Sequence, residues 1–198
     1  MTHALVVIDM QNDFCPGGAL AVTDGDTVVA GINARMAQAS AVILTQDWHP
    51  AGHSSFASQH KGRAPMESVM MPYGPQVLWP DHCVQGTEGA QFHAGLDTDR
   101  ADLIVRKGFR RDIDSYSAFF ENNQTTPTGL DGYLRTRGIT ELDFAGLATD
   151  FCVAWSALDA ARLGYKVRVL TSLCRGIDVN GSMVQALDNL RAAGVELV

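Results

Sequence analysis

Cys152 stands in the run Gly146-Leu147-Ala148-Thr149-Asp150-Phe151-Cys152-Val153, where an apolar, strand-like segment ends and an amphipathic, helix-like one begins. A thiol at such a junction meets backbone N–H groups and the positive end of a helix dipole. Both favour the thiolate, and Thr149 or Asp150 is a natural N-cap for the helix. Free cysteines are more often buried packing than nucleophiles, so this segment carries little by itself. Its weight comes from three other strand-like segments that end in reactive side chains: Asp9, then Asp47 with His49 and His53, then Lys107. Asp9 is placed to take the thiol proton and Lys107 to hold the resulting charges. An ammonium within about 4–6 Å would also keep the Asp9 pKa from drifting upward. Base, cation and nucleophile together meet the general requirement for covalent acyl transfer, against the plainer alternative of an ion pair that closes the edge of a sheet.

The second reactive group is Asp47-Trp48-His49-Pro50-Ala51-Gly52-His53, followed by Trp79-Pro80-Asp81-His82. A carboxylate and an imidazole two residues apart, with a further His from the following loop, suit a mononuclear zinc-type site that keeps positions open for water. Asp47, His49 and His82 already make three ligands. His53 ligates, supports a ligand or packs. His3, His60 and His93 lie outside the pattern and read as surface or core residues.

Placing these groups together requires a scaffold whose strand ends share one edge. Ala4 to Ile8 is a short continuous apolar run, the pattern of a strand covered on both faces. Similar runs recur at Ala41 to Leu44, Leu103 to Val105, Leu142 to Leu147, Val167 to Leu170 and Val195 to Val198. Helical spacing marks Asp26 to Ala39, Leu130 to Arg137, Phe151 to Leu163 and Gly181 to Ala193, and Gly138, Gly164 and Gly194 suit C-caps. This alternation predicts an α/β fold: a three-layer α/β/α sandwich around a mainly parallel, roughly six-stranded sheet. Ligands of open parallel sheets bind beyond the carboxyl ends of the strands, where the acid, the metal-type ligands, the cation and the thiol all fall. The stretch from about 48 to 99 breaks the rhythm, being rich in Gly, Pro, His and Met; a loop that long is usually functional.

At 198 residues the chain is expected to form a single domain, 1–198. With 15 Lys plus Arg against 22 Asp plus Glu, a net charge of -7 and no basic run, nucleic acid is not an expected partner. No apolar stretch approaches the roughly 20 residues of a membrane span, and Met1 to Leu5 has no signal-peptide character, so no membrane association and a cytoplasmic location are expected. Cys15, Cys83, Cys152 and Cys174 are widely spaced and read as reduced thiols.

These motifs resemble the nicotinamidase branch of the isochorismatase-like cysteine hydrolase superfamily. The resemblance rests on Val6 to Leu20 (VVIDMQNDFCPGGAL), Thr45 to Ala57 (TQDWHPAGHSSFA), Trp79 to Thr87 (WPDHCVQGT), Arg106 to Gly108, Asp114 to Phe119 (DSYSAF) and Gly146 to Val153. It implies Asp9, Lys107 and Cys152 as a catalytic triad and Asp47, His49 and His82 as ligands of one divalent metal ion, zinc first, with iron or manganese as alternatives. His53 aligns with a position that ligates in some members and not in others. The resemblance further implies a cis peptide before Ala148, an oxyanion hole formed by the N–H groups of Ala148 and Cys152, and a ring pocket lined by Phe14, Trp79 and Tyr116. Cys152 argues against the isochorismatase branch, which lacks the nucleophile, and Asp47 with His49 against the N-carbamoyl amidases, which lack the metal motif. The implied activity is hydrolysis of nicotinamide to nicotinate and ammonia in NAD salvage, with pyrazinamide as a side substrate. Three rivals stay open: an amidohydrolase for another small amide, a metallohydrolase in which Cys152 is structural, and a non-catalytic pyridine- or metal-binding module. The oligomeric state is also open, a homo-oligomer included.

Overall fold

A computed structural model describes residues 2–198; Met1 lies outside the described residues. Six strands form one parallel sheet: β1 (His3–Ile8), β2 (Val42–Asp47), β5 (Leu103–Lys107), β6 (Glu141–Leu147), β7 (Lys166–Arg175) and β8 (Glu196–Leu197), in the order β5-β2-β1-β6-β7-β8. The four long helices are α1 (Val29–Met36), α2 (Leu130–Thr136), α3 (Ala154–Arg162) and α4 (Ser182–Ala192). Each lies within or beside a segment whose spacing predicts it. Past His3, β1 is apolar because it is central, with β2 on one side and β6 on the other, and its residues from Ala4 to Ile8 are buried.

The chain winds outward from β1 through β2 to β5, then returns to the other side of β1 and continues β6, β7, β8. The strand order therefore reverses between β1 and β6, the point of an open sheet where a ligand crevice forms. Gly146 allows the two strands to meet closely there: its φ is +117°, and a Cβ on it would collide with the carbonyl oxygen of Ile8.

The irregular stretch contains what periodicity did not signal, a small antiparallel hairpin of β3 (Ser68–Met71) and β4 (Gly74–Val77) that stands apart from the main sheet. Among the described residues no helix is long and apolar enough to cross a membrane.

One charge cluster sits within the sheet itself. Asp143 on β6 is buried and accepts hydrogen bonds from Arg168 (Nε, 2.7 Å; Nη2, 2.8 Å) and Arg35 (Nη2, 2.7 Å), with His3 Nε2 at 3.0 Å. Burial would raise the Asp143 pKa, but the two guanidinium groups outweigh it and hold the carboxyl below its ordinary value. A depressed folded pKa stabilises the protein above the unfolded value of about 4 and loses that contribution as pH falls through the folded value. Asp143→Ala should cost about 2 kcal/mol at neutral pH, since it leaves two half-buried guanidiniums facing each other. Urea titrations should show this deficit narrowing below about pH 4; a deficit independent of pH would show that packing, not charge, is what Asp143 supplies.

Candidate active site

Four adjacent strands each deliver one group to the crevice. Lys107 closes β5, Asp47 closes β2, Asp9 follows β1, and Cys152 follows β6 after a single turn. That turn departs from the sequence expectation. Thr149–Val153 is one turn of π-helix leading into α3, its N-cap is Ala148 in extended conformation, and neither Thr149 nor Asp150 caps it. Asp150 instead reaches across to the loop after β7, accepting from the N–H groups of Ile177 (3.0 Å) and Asp178 (2.9 Å) and from the Ser182 hydroxyl. Its carboxylate is used to hold another segment, which spacing along the chain could not reveal. The peptide bond between Leu147 and Ala148 is cis, as the resemblance implies.

Lys107 is the hub. Its Nζ is 2.9 Å from Asp9 Oδ2, 3.1 Å from Asp47 Oδ1, 3.4 Å from Cys152 Sγ and 3.0 Å from the Ser115 carbonyl oxygen, and the whole side chain is buried. Burial by itself would lower the lysine pKa; the carboxylates of Asp47 and Asp9 reverse this and push it well above the usual range. Asp9 is fixed from its other side by the Thr45 hydroxyl, which donates to Oδ1 at 2.6 Å. Its backbone stands at φ +47°, in the left-handed region that non-glycine residues seldom occupy outside special sites.

Two electrostatic expectations change. Burial raises the Asp9 pKa, and Asp47 adds to the rise, so Lys107 lowers but does not hold it down. The ammonium is shared with Asp47, whose carboxyl stays well below its ordinary value because His49 and Lys107 together outweigh its burial, whereas Asp9 has Lys107 alone. Burial likewise pushes the Cys152 thiol well above its ordinary value, with Lys107 opposing. The resting group is a thiol beside a carboxylate of raised basicity, not a standing thiolate. Such a pairing can pass a proton from sulfur to carboxylate.

Beside the hub, Asp47, His49 and His82 form a cluster whose ligand atoms all lie within 4.8 Å of one another. His49 Nδ1 donates to the Gly108 carbonyl and His82 Nδ1 to the Pro80 carbonyl, both at 2.8 Å. Carbonyls only accept, so each ring carries a proton on Nδ1 and turns Nε2 inward. The two Nε2 atoms face Asp47 Oδ2 at 2.9 and 3.3 Å, and His49 Nε2 is buried. Burial opposes a second proton on His49 but Asp47 favours it, so this point draws positive charge, as a proton or as a metal ion. A carboxylate with two imidazoles is the donor set of a zinc-type site, so the residues fit a divalent metal. His53 takes a different place: Nδ1 meets the Ser55 hydroxyl at 2.8 Å and Nε2 the Ile113 carbonyl at 3.1 Å, and it groups with His49 and Asp114 instead of with Asp47 and His82.

Gly108, the end of the Arg106-Lys107-Gly108 motif, is required where it stands. At φ +64°, an added Cβ would lie 2.5 Å from His49 Cε1 and 2.9 Å from Asp47 Oδ1. Gly108→Ala should therefore displace both groups and lower metal content and activity about 10–100-fold, as losses around a metal's ligands typically do. Metal analysis of the purified variant checks this, and full occupancy with full activity would contradict it.

A narrow pocket opens onto Cys152 and the Asp47–His82 cluster, walled by Phe14, Leu20, Trp79, Tyr116, Phe151 and Ile177, with Asp114 and Ala148 on its lining. Phe14, Trp79 and Tyr116 all line this pocket. Trp79 and Tyr116 pack edge-on against Phe151 at 4.8 and 5.6 Å between ring centres. Sequence reasoning missed Phe151, Ile177 and Asp114. It also missed Gln11, whose side chain accepts from the Asp47 N–H and donates to the Asp47 carbonyl, both at 2.8 Å, clamping the ligand's backbone. Gln11 and Asp114 lie inside motifs that carry the resemblance, and that was the available signal.

The family model described as the isochorismatase domain matches residues 3–198. A nicotinamidase of Acinetobacter baylyi is 51% identical over 195 residues, covering 98% of this chain and 91% of that relative. Among solved structures, a nicotinamidase/pyrazinamidase of Acinetobacter baumanii superposes with a TM-score of 0.98 at 53% identity, covering 100% of this chain and 95% of that one. A pyrazinamidase of Pyrococcus horikoshii in complex with zinc does so with a TM-score of 0.80 at 33% identity, covering 100% and 99%. A parallel sheet with a reactive crevice at its reversal point, matched by a family model from the first strand to the last residue, places the chain in the isochorismatase-like hydrolase family.

Proposed function

We propose that the chain is a nicotinamidase, hydrolysing nicotinamide to nicotinate and ammonia, with Asp9, Lys107 and Cys152 as its catalytic residues. The observation that carries this reading is the buried contact of Lys107 with both Asp9 and Cys152 at the floor of an aromatic-walled pocket. Asp9 takes the Sγ proton, and the sulfur attacks the carboxamide carbon as the carbonyl π bond opens. The N–H groups of Ala148 and Cys152 receive the oxyanion, a contribution of about 3–4 kcal/mol per well-placed donor. When the tetrahedral intermediate collapses, the C–N bond breaks, Asp9 returns its proton to the departing ammonia, and a thioester remains on Cys152. Asp9 then removes a proton from water, the water oxygen attacks the thioester carbon, and the C–S bond breaks as Asp9 returns that proton to the sulfur, restoring the thiol and releasing the acid, which ionises to nicotinate. Lys107 keeps its proton throughout and balances the charge that passes between Asp9 and Cys152.

Asp47, His49 and His82 would hold the metal, and zinc in the Pyrococcus horikoshii relative supports that ion here. When bound, the ion supplies Lewis acidity and a fixed positive charge that anchors the polar end of a pyridine ring beside the thiol. Phe14, Trp79 and Tyr116 would sandwich the ring. A flat pocket of this kind also suits pyrazinamide.

Ammonia release from nicotinamide by the purified protein, before and after chelation, tests the reading. Turnover that disappears with the metal and returns with added zinc is the expected result. An intact, metal-loaded protein that releases no ammonia from nicotinamide would overturn the substrate, and turnover that survives complete metal removal would overturn the role given to the ion.

A further inference from the structure

The hairpin β3–β4 makes no strand pairing with the main sheet, and most of its residues are exposed or half-exposed. Gln76 is the exception. It is 1% exposed, and its amide lies at the meeting point of groups from three separate segments. Nε2 is 2.9 Å from Asp114 Oδ2, 2.8 Å from the Tyr116 hydroxyl and 2.8 Å from the Val77 carbonyl. Oε1 accepts from Asn122 Nδ2 at 3.0 Å and from the Tyr73 hydroxyl at 3.2 Å. The amide can sit only one way round, because turning it over would set its oxygen against the Asp114 carboxylate and its nitrogen against the Asn122 amide nitrogen. Tyr116 is held further by Trp79, whose Nε1 donates to the same hydroxyl at 3.1 Å, and by Asn122, whose Oδ1 accepts from the Tyr116 N–H at 3.0 Å.

Asp114, Tyr116 and Trp79 all line the pocket, and Gln76 does not. Fixing a ring-binding wall before substrate arrives reduces what binding must spend on ordering it. We infer that Gln76 is a positioning residue for substrate affinity: its amide locks the Asp114 carboxylate and the Tyr116 ring into the wall of the pocket from a hairpin that contributes nothing to the chemistry. This rests on the nicotinamidase reading. Wild-type turnover of nicotinamide tests that reading, whereas the ratio of variant to wild-type KM tests Gln76.

The experiment is steady-state kinetics on nicotinamide with metal-loaded wild type and Gln76→Met, which keeps the length and bulk of the side chain but neither donates nor accepts strongly. KM should rise about tenfold with kcat within about threefold, because the wall loosens while Asp9, Lys107 and Cys152 keep their contacts. A residue that merely helped the hairpin fold would lower the active fraction, and so kcat, with KM unchanged; that outcome overturns the inference. Should Gln76→Met fail to fold, Asn122→Asp provides the test. It keeps an acceptor for the Tyr116 N–H but turns an oxygen toward Gln76 Oε1, displacing the amide. A KM raised at least about threefold supports the positioning role, and an unchanged KM overturns it.

Discussion

Cys152→Ala should lower kcat/KM for nicotinamide by at least about 10⁴-fold, equivalent to about 5 kcal/mol of transition-state stabilisation. The size of the effect follows from the role proposed for the thiol: it would form and break the bond that divides amide hydrolysis into two easier steps, with no neighbour to replace it. Cys15 and Cys174 are buried away from the pocket, where burial pushes their thiols up to about 11 and about 12, and Cys83, beside His82, has its thiol pushed well above the usual range by burial and by the Asp47 and Asp9 carboxylates. Metal content should stay at the wild-type level, because Sγ is not a member of the Asp47–His49–His82 cluster. The two readouts separate the thioester route from its rival, in which the metal delivers the nucleophile and Cys152 only packs. Ammonia release within tenfold of wild type would abandon the thioester in favour of that rival.

Lys107→Met is expected to damage both activity and stability. Without the ammonium, Asp9 and Asp47 remain as two buried carboxylates in one small volume. Breaking a buried pair this way typically costs about 3–5 kcal/mol, a melting temperature lower by roughly 10 °C for a chain of this size. Asp9 already titrates high because burial outweighs Lys107. Losing the lysine drives it higher still, so a larger share of Asp9 holds a proton and cannot take the one on Cys152, and in the proposed mechanism turnover should fall at least about 10³-fold. The signs give a further check. A carboxyl with a raised folded pKa destabilises the protein when ionised, so acidification relieves the strain in the variant as the carboxyl takes up a proton. Melting curves at pH 5.5 and pH 8 should show the gap to wild type shrinking at the lower value. An equal gap at both would mean that Lys107 acts through packing and not through charge.

The scaffold was legible because buried parallel strands write themselves as short apolar runs, here interrupted by charge only at Asp143, Arg168 and Glu196, and all six appear in the chain where β1, β2, β5, β6, β7 and β8 lie. The positions of Asp9, Asp47, Lys107 and Cys152 followed from strand ends alone. What stayed hidden depends on contacts between distant segments. Asp150 looks like a cap in its own neighbourhood and instead secures residues 177 and 178. The hairpin of β3 and β4 carries no apolar pattern because its strands are four residues each and only Gln76 among them is buried. The Asp9 pKa could not be judged without knowing that Lys107 serves Asp47 as well, a pairing set by strand order and not by sequence distance.

The reversal of strand order also fixes when the enzyme can exist on the ribosome. β1, β2 and β5 can pair once residue 107 has emerged, but β6, the strand that flanks β1 on its other side, comes only at residues 141 to 147. Until then the most apolar strand of the protein is an open edge, a template for pairing with another nascent chain. The segment that ends this exposure is the one that brings the proposed nucleophile. Cys152 therefore arrives with the strand that seals the sheet, and a half-made chain has neither a closed core nor a working thiol.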